Sequence, residues 1–141
     1  MRFYSTRNKN VCVNGAEAVC RGISEEGGLF VPSAFPQVTE TQLRALCDEE
    51  YENLAAFVIG AFLPELREQL PDYCRKAYAK FESDPPAVAP LVKLDDNLCV
   101  LELWHGPTCA FKDVALTLLP YLLDGAKRAT GNTRTTLVPV A

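Results

Sequence analysis

The spacing of apolar positions changes several times along this chain, and each change predicts an element. A short apolar stretch from Ala16 runs into Gly22, Glu25-Glu26-Gly27-Gly28 marks a turn, and Leu29-Phe30-Val31-Pro32 follows it. Thr39 and Gln42 have the spacing of a capping box, in which the hydroxyl accepts from the third helical N–H and the amide reaches back. A helix is therefore predicted from Glu40, with Leu43, Leu46 and Cys47 on one face. Asp48-Glu49-Glu50 breaks that face. A second helix carries Leu54, Phe57, Val58, Ala61 and Phe62 at three- and four-residue spacing, with Gly60 weakening its end. A third has Pro71 in its first turn, where the missing N–H costs nothing, and a stripe of Tyr73, Cys74, Ala77, Tyr78 and Phe81 that reads as core.

Pro85, Pro86 and Pro90 then punctuate an extended segment ending in Leu91-Val92-Lys93-Leu94. Asp95-Asp96-Asn97 turns the chain, and Leu98 to Trp104 is almost wholly apolar, which predicts a strand hairpinned to the preceding segment. Helical spacing resumes after Lys112 at Val114, Ala115, Leu118, Leu119, Leu122 and Leu123 and ends at Gly125 or Gly131, with a kink or break expected at Pro120. Thr135 to Ala141 reads as a last strand. Helices, a hairpin, a helix and a strand in this order predict an α/β fold without internal repeats.

Composition narrows the class. A length of 141 residues suits one core, and 48% hydrophobic with 23% charged residues excludes a disordered or low-complexity chain. Fourteen basic against 18 acidic side chains leave a net charge of −4, so there is no electrostatic ground for a nucleic-acid or anionic-membrane partner. No apolar run approaches the ~18–20 residues that span a bilayer, and Met1 to Arg7 lacks the apolar block of a signal peptide, so a cytoplasmic address is expected. The six cysteines form no C-x-x-C pair and mostly have apolar neighbours, which predicts reduced, mostly buried thiols. With His105 the only histidine and no finger-like cysteine spacing, no metal site is expected. Gly27-Gly28 lacks the further glycines or Lys-Ser/Thr of a phosphate loop and reads as a structural turn.

One stretch stands apart: Leu101-Glu102-Leu103-Trp104-His105-Gly106-Pro107-Thr108-Cys109-Ala110-Phe111-Lys112-Asp113. A strand ends, a Gly-Pro loop turns the chain, and a lysine follows Ala-Phe at the mouth of a helix. A helix amino terminus carries partial positive charge and disfavours an ammonium, and desolvation by Phe111 acts in the same direction. A neutral amine condenses with an aldehyde. Taken alone, the residues favour an ordinary surface lysine at 112, and Asp113 is compatible with ordinary favourable placement in a first helical turn.

Three segments carry a family resemblance: Tyr4-Ser5-Thr6-Arg7, Gly27-Gly28-Leu29-Phe30-Val31-Pro32, and Leu101 to Asp113. Together they resemble the N-terminal part of the threonine synthase family, pyridoxal-phosphate (PLP) enzymes of the tryptophan-synthase-β-like group, fold type II. The resemblance implies the N-terminal helical and mixed α/β segment of such an enzyme. Residues 1–84 would be a mostly helical N-terminal domain and 85–141 the start of the PLP-binding α/β domain. It implies Lys112 as the lysine that forms the internal aldimine, Phe111 packed beside the cofactor, and His105, Gly106, Pro107 and Thr108 shaping the approach. In this family O-phospho-L-homoserine displaces the lysine, phosphate is eliminated, and water adds to the unsaturated intermediate to give L-threonine. The freed lysine would then move the protons. The family's chains are longer, with a Ser-Gly-Asp-Thr-Gly turn and the phosphate-holding loop beyond the equivalent of Ala141, so a piece of a longer protein, inactive alone, is expected. Two other readings stay open: an association or folding module whose apolar faces pair with another copy, and a phospholyase that eliminates without adding water.

Overall fold

Alternating side chains in Arg2-Phe3-Tyr4-Ser5 leave one face exposed and one turned inward, with Ser5 buried at its end. The computed structural model, which describes residues 1–83 and 87–135, makes this segment the central strand β1 (Arg2–Ser5). It lies between β2 (Cys12–Asn14) and β3 (Phe30–Pro32), antiparallel to both. Phe3 sits opposite Val13 on one side and Pro32 on the other, and the proline is tolerated because β3 is an edge strand. Asn14 caps α1 (Gly15–Arg21) with a full capping box: the Glu17 N–H donates to Asn14 Oδ1 at 2.8 Å and the Asn14 N–H to Glu17 Oε2 at 3.0 Å. Neither β1 nor β2 was expected, since strands of three and four residues are too short to establish a period of two.

The box at Thr39 and Gln42 forms as predicted and opens α2 (Glu40–Leu46). Its supposed core face is corrected: α2 has no buried residue, and Leu43 and Cys47 are exposed. The helix α3 (Tyr51–Phe62) also forms, but turned on its axis relative to the expectation. Ala56 and Gly60 are buried, and Tyr51, Ala55 and Ile59 pack on the core, while Val58 of the predicted stripe is 47% exposed. The helix is apolar on most sides, so periodicity does not choose its inner face. The small residues at 55, 56 and 60 do, by letting the next helix approach closely. A single 3-10 turn (Pro64–Leu66) leads into α4 (Leu70–Tyr78), with Pro71 in its first turn.

Here the predicted stripe holds. Cys74, Ala77 and Tyr78 are buried, Tyr73 and Phe81 pack against the same cluster, and Leu70 is fully enclosed. Tyr78 meets Tyr51 and Phe81 edge-on, with ring centroids 5.2 and 5.5 Å apart. Burial pushes the Tyr78 hydroxyl well above the usual tyrosine range, with Tyr51 and Cys74 adding to it.

The hairpin is present but shorter than expected: β4 (Leu91–Lys93) pairs antiparallel with β5 (Cys99–Leu101) and excludes Leu98 and 102–104. Asp95 closes its turn by accepting the Asn97 N–H at 2.8 Å. The expected break also occurs. A four-residue helix, α5 (Asp113–Leu116), ends before Leu118, and Pro120 enters in the first turn of α6 (Leu119–Thr130). At its end Gly131 takes the left-handed conformation, and the Asn132 N–H reaches the Lys127 carbonyl at 2.9 Å, the backbone closure that favours glycine there. Gly125 and Ala126 of α6 are buried, Leu118 joins the core of α3 and α4, and α6 lies along α1. One core therefore spans early and late parts of the chain. The last predicted strand, from Thr136 onward, and Pro85 and Pro86 lie outside the described residues.

All six cysteines are free, but the expectation that most are buried is overturned: Cys74 is buried, Cys12 and Cys20 partly so, and Cys47, Cys99 and Cys109 are exposed. Apolar neighbours in sequence do not bury a thiol on a solvent-facing helix or a two-stranded hairpin. Burial pushes the Cys74 thiol up to about 11, with the Glu52 carboxylate adding to it, so little of the nucleophilic thiolate forms at mildly alkaline pH. A disulfide reagent applied to the native chain should label the Cys47, Cys99 and Cys109 peptides quickly and the Cys74 peptide only after unfolding. Rapid native labelling of Cys74 contradicts the packing described.

Candidate functional site

After β5 the chain leaves the hairpin through Glu102-Leu103-Trp104 and enters the loop His105 to Lys112, whose turns are closed by backbone bonds. The Cys109 N–H donates to the Gly106 carbonyl at 3.0 Å and the Asp113 N–H to the Ala110 carbonyl at 3.0 Å. Cys109 has φ of 56°, an uncommon conformation for a non-glycine residue. The centre of the loop is Asp113. Its side chain is 2% exposed and turns back, accepting the Thr108 N–H on Oδ2 and the Thr108 hydroxyl on Oδ1, each at 2.7 Å. Those bonds hold its carboxyl below the usual carboxylate range, the hydroxyl contributing most. A side chain on Gly106 would place its first carbon 2.6 Å from Asp113 Oδ2, so only glycine fits beneath the carboxylate.

The far side of α5 is anchored to the core by the Tyr78 hydroxyl, which donates to the Val114 carbonyl at 3.1 Å. Between α3 and α5–α6 runs a groove of about 710 Å³. Tyr51, Leu54, Ala55, Val58 and Ile59 wall one side, Val114, Ala115, Leu118 and Leu122 the other, and Phe111 and Lys112 are part of the lining. The two residues singled out from the sequence are thus brought together on one apolar groove. Both are exposed, Phe111 at 66%, and α5 has only four residues.

The remaining loop residues divide. Gly106 and Thr108 hold Asp113, and Gly106 also lines, with His105 and Pro107, a different groove that includes Lys80, Trp104 and Cys109. His105 ties the loop to the end of the helical part. Its Nδ1 lies 3.0 Å from the Glu82 carbonyl, its Nε2 2.6 Å from Glu102 Oε2, and its own carbonyl accepts the Glu82 N–H at 3.0 Å. The Gly27-Gly28 turn is structural, because its donors are spent internally: the Gly27 N–H on the Ser24 carbonyl and the Gly28 N–H on Ser24 Oγ. Ser24 in turn meets Ser5 across the sheet at 3.0 Å. Sequence reasoning missed the role of Asp113. The only signal was a hydroxyl following Gly-Pro five positions earlier, outside the usual capping spacing. Among the described residues no three His, Cys, Asp or Glu side chains gather as metal ligands, and no helix is long and apolar enough to cross a membrane.

The profile of the family "Threonine synthase N terminus" matches residues 2–78. The chain is 36% identical over 125 residues to threonine synthase of Schizosaccharomyces pombe, covering 86% of this chain and 24% of that protein. With threonine synthase of Pseudomonas aeruginosa it shares 38% over 126 residues, covering 88% of this chain and 26% of that one. The crystal structure of PLP-bound threonine synthase from Brucella melitensis superposes with a TM-score of 0.83 at 38% identity, over 93% of this chain and 28% of that chain. The mixed α/β fold is thus that of the N-terminal region of PLP-bound threonine synthase structures. The chain belongs to the threonine synthase N-terminus family, and it spans about a quarter of the length of the curated relatives it matches.

Proposed function

We propose that this chain supplies the N-terminal part of a threonine synthase, which converts O-phospho-L-homoserine and water to L-threonine and phosphate, and that Lys112 is the lysine that holds its PLP. The observation that carries the reading is the placement of Lys112 and Phe111 together on a groove otherwise lined by apolar side chains and Tyr51 and Tyr78. The donor set fits one end of the cofactor: a primary amine for the aldehyde, and Phe111 with the apolar wall for the ring. The rest of the lining offers no second cation for a phosphate, so phosphate donors belong to other parts of the longer protein. When bound, PLP supplies an electron sink for charge developing on the substrate carbons. Phe111 would pack beside the ring and exclude water, and the Lys112 amine would hold the cofactor and take and return protons as general base and acid. In the longer protein, residues 1–84 act as the N-terminal unit and 85–141 open the cofactor-binding unit. The address is cytoplasmic.

Borohydride reduction of the chain with PLP, followed by peptide mapping, should place the pyridoxyl group on Lys112. Label on Lys93 or Lys127 instead, with cofactor absorbance retained in Lys112→Ala, sinks the reading. A phospholyase differs in product, giving 2-oxobutyrate rather than threonine from the same substrate in the longer protein. A second role, association with another copy, is favoured by the hairpin: Leu91 and Leu101 on its two strands, and Leu94 and Leu98 in the connection between them, are 49–68% exposed. Sizing tests it directly. A chain that stays monomeric as its concentration is raised removes that role.

A further inference from the structure

We infer that Asp113 is a positioning residue for Lys112, one that sets the direction in which the lysine leaves the backbone; the inference rests on the reading of Lys112 as the cofactor lysine. Both oxygens of the buried Asp113 carboxylate are committed to Thr108, at 2.7 Å to the N–H and 2.7 Å to the hydroxyl. The segment 108–113 is thereby closed into a ring with Lys112 as its last link before the carboxylate. Gly106 lies directly under the carboxylate and leaves it no space to shift. On the helical side, the Lys112 carbonyl accepts the Leu116 N–H at 2.8 Å, and the Asp113 carbonyl accepts the Thr117 hydroxyl at 2.7 Å. The Val114 carbonyl is fastened to Tyr78. Lys112 is thus an exposed side chain on a backbone held from both sides. That combination suits a group that must reach a bound aldehyde repeatedly from one direction.

The arrangement is more than a helix cap. A capping carboxylate precedes its helix and accepts from the residues that follow, whereas Asp113 is the first residue of α5 and accepts from a residue five positions before it. Replacing the carboxylate by the Asn amide removes the charge and one of the two acceptor oxygens, so the Thr108 N–H and hydroxyl share a single neutral acceptor in a closely packed spot, and the hold on the loop that carries Lys112 weakens. An error of about 1 Å in the placement of a reacting group can cost on the order of a hundredfold.

The test uses the 141-residue chain and PLP itself. After borohydride reduction, the pyridoxyl label at Lys112 is divided by the label at Lys93 and Lys127 of the same molecules, so differences in concentration and overall labelling cancel, and a thermal transition is recorded for each variant to show that it is folded. The expected result is an excess at Lys112 that falls roughly tenfold in Asp113→Asn and in Gly106→Ala, a part of the full misplacement cost. Thr108→Ser, which keeps both donors, should retain the excess, a rescue that general loosening does not produce. If Asp113→Asn loses its thermal transition, Thr108→Val, which removes only the hydroxyl donor, decides with a smaller fall in the same ratio. An excess that persists in the folded variants overturns the positioning role and leaves the Lys112 reading standing. A parent chain with no excess at Lys112 overturns both.

Discussion

Supplied with PLP and O-phospho-L-homoserine, the 141-residue chain should form threonine no faster than its Lys112→Ala variant. A covalent bond to one lysine fixes one atom of the cofactor and leaves the ring free to swing. Proton transfer needs the ring held in register, and a misplacement of about 1 Å already costs on the order of a hundredfold. The groove beside Lys112 offers apolar walls and two tyrosines, but no second cation for a phosphate. Phe111, which should cover the ring, is 66% exposed in this chain. With the chain spanning 24–30% of its relatives, the remaining anchors are proposed to lie in the rest of the longer protein. Threonine formed above the Lys112→Ala background by the purified chain would show that the pocket is more nearly complete than its lining indicates. Adding the remaining polypeptide as a separate chain and recovering activity would support the proposed division of labour.

Leu70→Ala should be the most damaging single truncation of the core. Leu70 is fully buried at the start of α4, enclosed by a cluster that includes Leu66, Cys74 and Ala56. Gly60 would bring a side chain to within 3.4 Å of it, so the two helices already touch there. Removing three buried carbons from a site that cannot collapse costs about 2–5 kcal/mol, a large part of the roughly 5–15 kcal/mol that holds an ordinary domain together. Leu43→Ala on α2 is the matched control, because Leu43 is 54% exposed and its loss should stay within about 0.5 kcal/mol. Urea unfolding followed by circular dichroism measures both. Equal midpoints for the two variants contradict the assignment of the core to α3, α4 and Leu118.

Acid should release the Lys112 loop late. The Asp113 carboxyl is held below the ordinary range by its bonds from Thr108, so its folded value lies under its unfolded one. Its contribution to stability is complete above the unfolded value and is lost as pH falls through the folded one. Amide exchange of Thr108, followed by NMR down a pH series, should therefore stay slow through the range in which surface carboxylates titrate, and Asp113→Ala, which removes both acceptor oxygens, should abolish that protection at every pH.

The sequence by its own chemistry specified those features in which neighbours a few positions apart satisfy each other. Thr39 with Gln42 opened α2, Pro71 marked a first turn, Pro120 broke the helical run, Asp95 closed the hairpin, and Gly131 ended α6. Each is a bond or a steric limit written within one turn of chain. The Asn14 and Glu17 box was equally local and could have been read the same way. The loop from Trp104 to Lys112 was legible as a motif through its family resemblance, but its internal wiring was not. Packing settled the rest. The apolar residues of α3 allow several inner faces, and contact with α4 selects the one bearing Ala55, Ala56 and Gly60, which leaves Leu54 and Val58 to line the groove beside Lys112. Cys47, Cys99 and Cys109 face solvent although their neighbours are apolar, because exposure depends on what covers an element rather than on what flanks a residue. Asp113 looked like an ordinary first-turn acid until the fold turned its carboxylate back onto Thr108 over the bare α-carbon of Gly106. Such a contact has no fixed spacing in sequence, since it depends on how a loop returns to meet its helix.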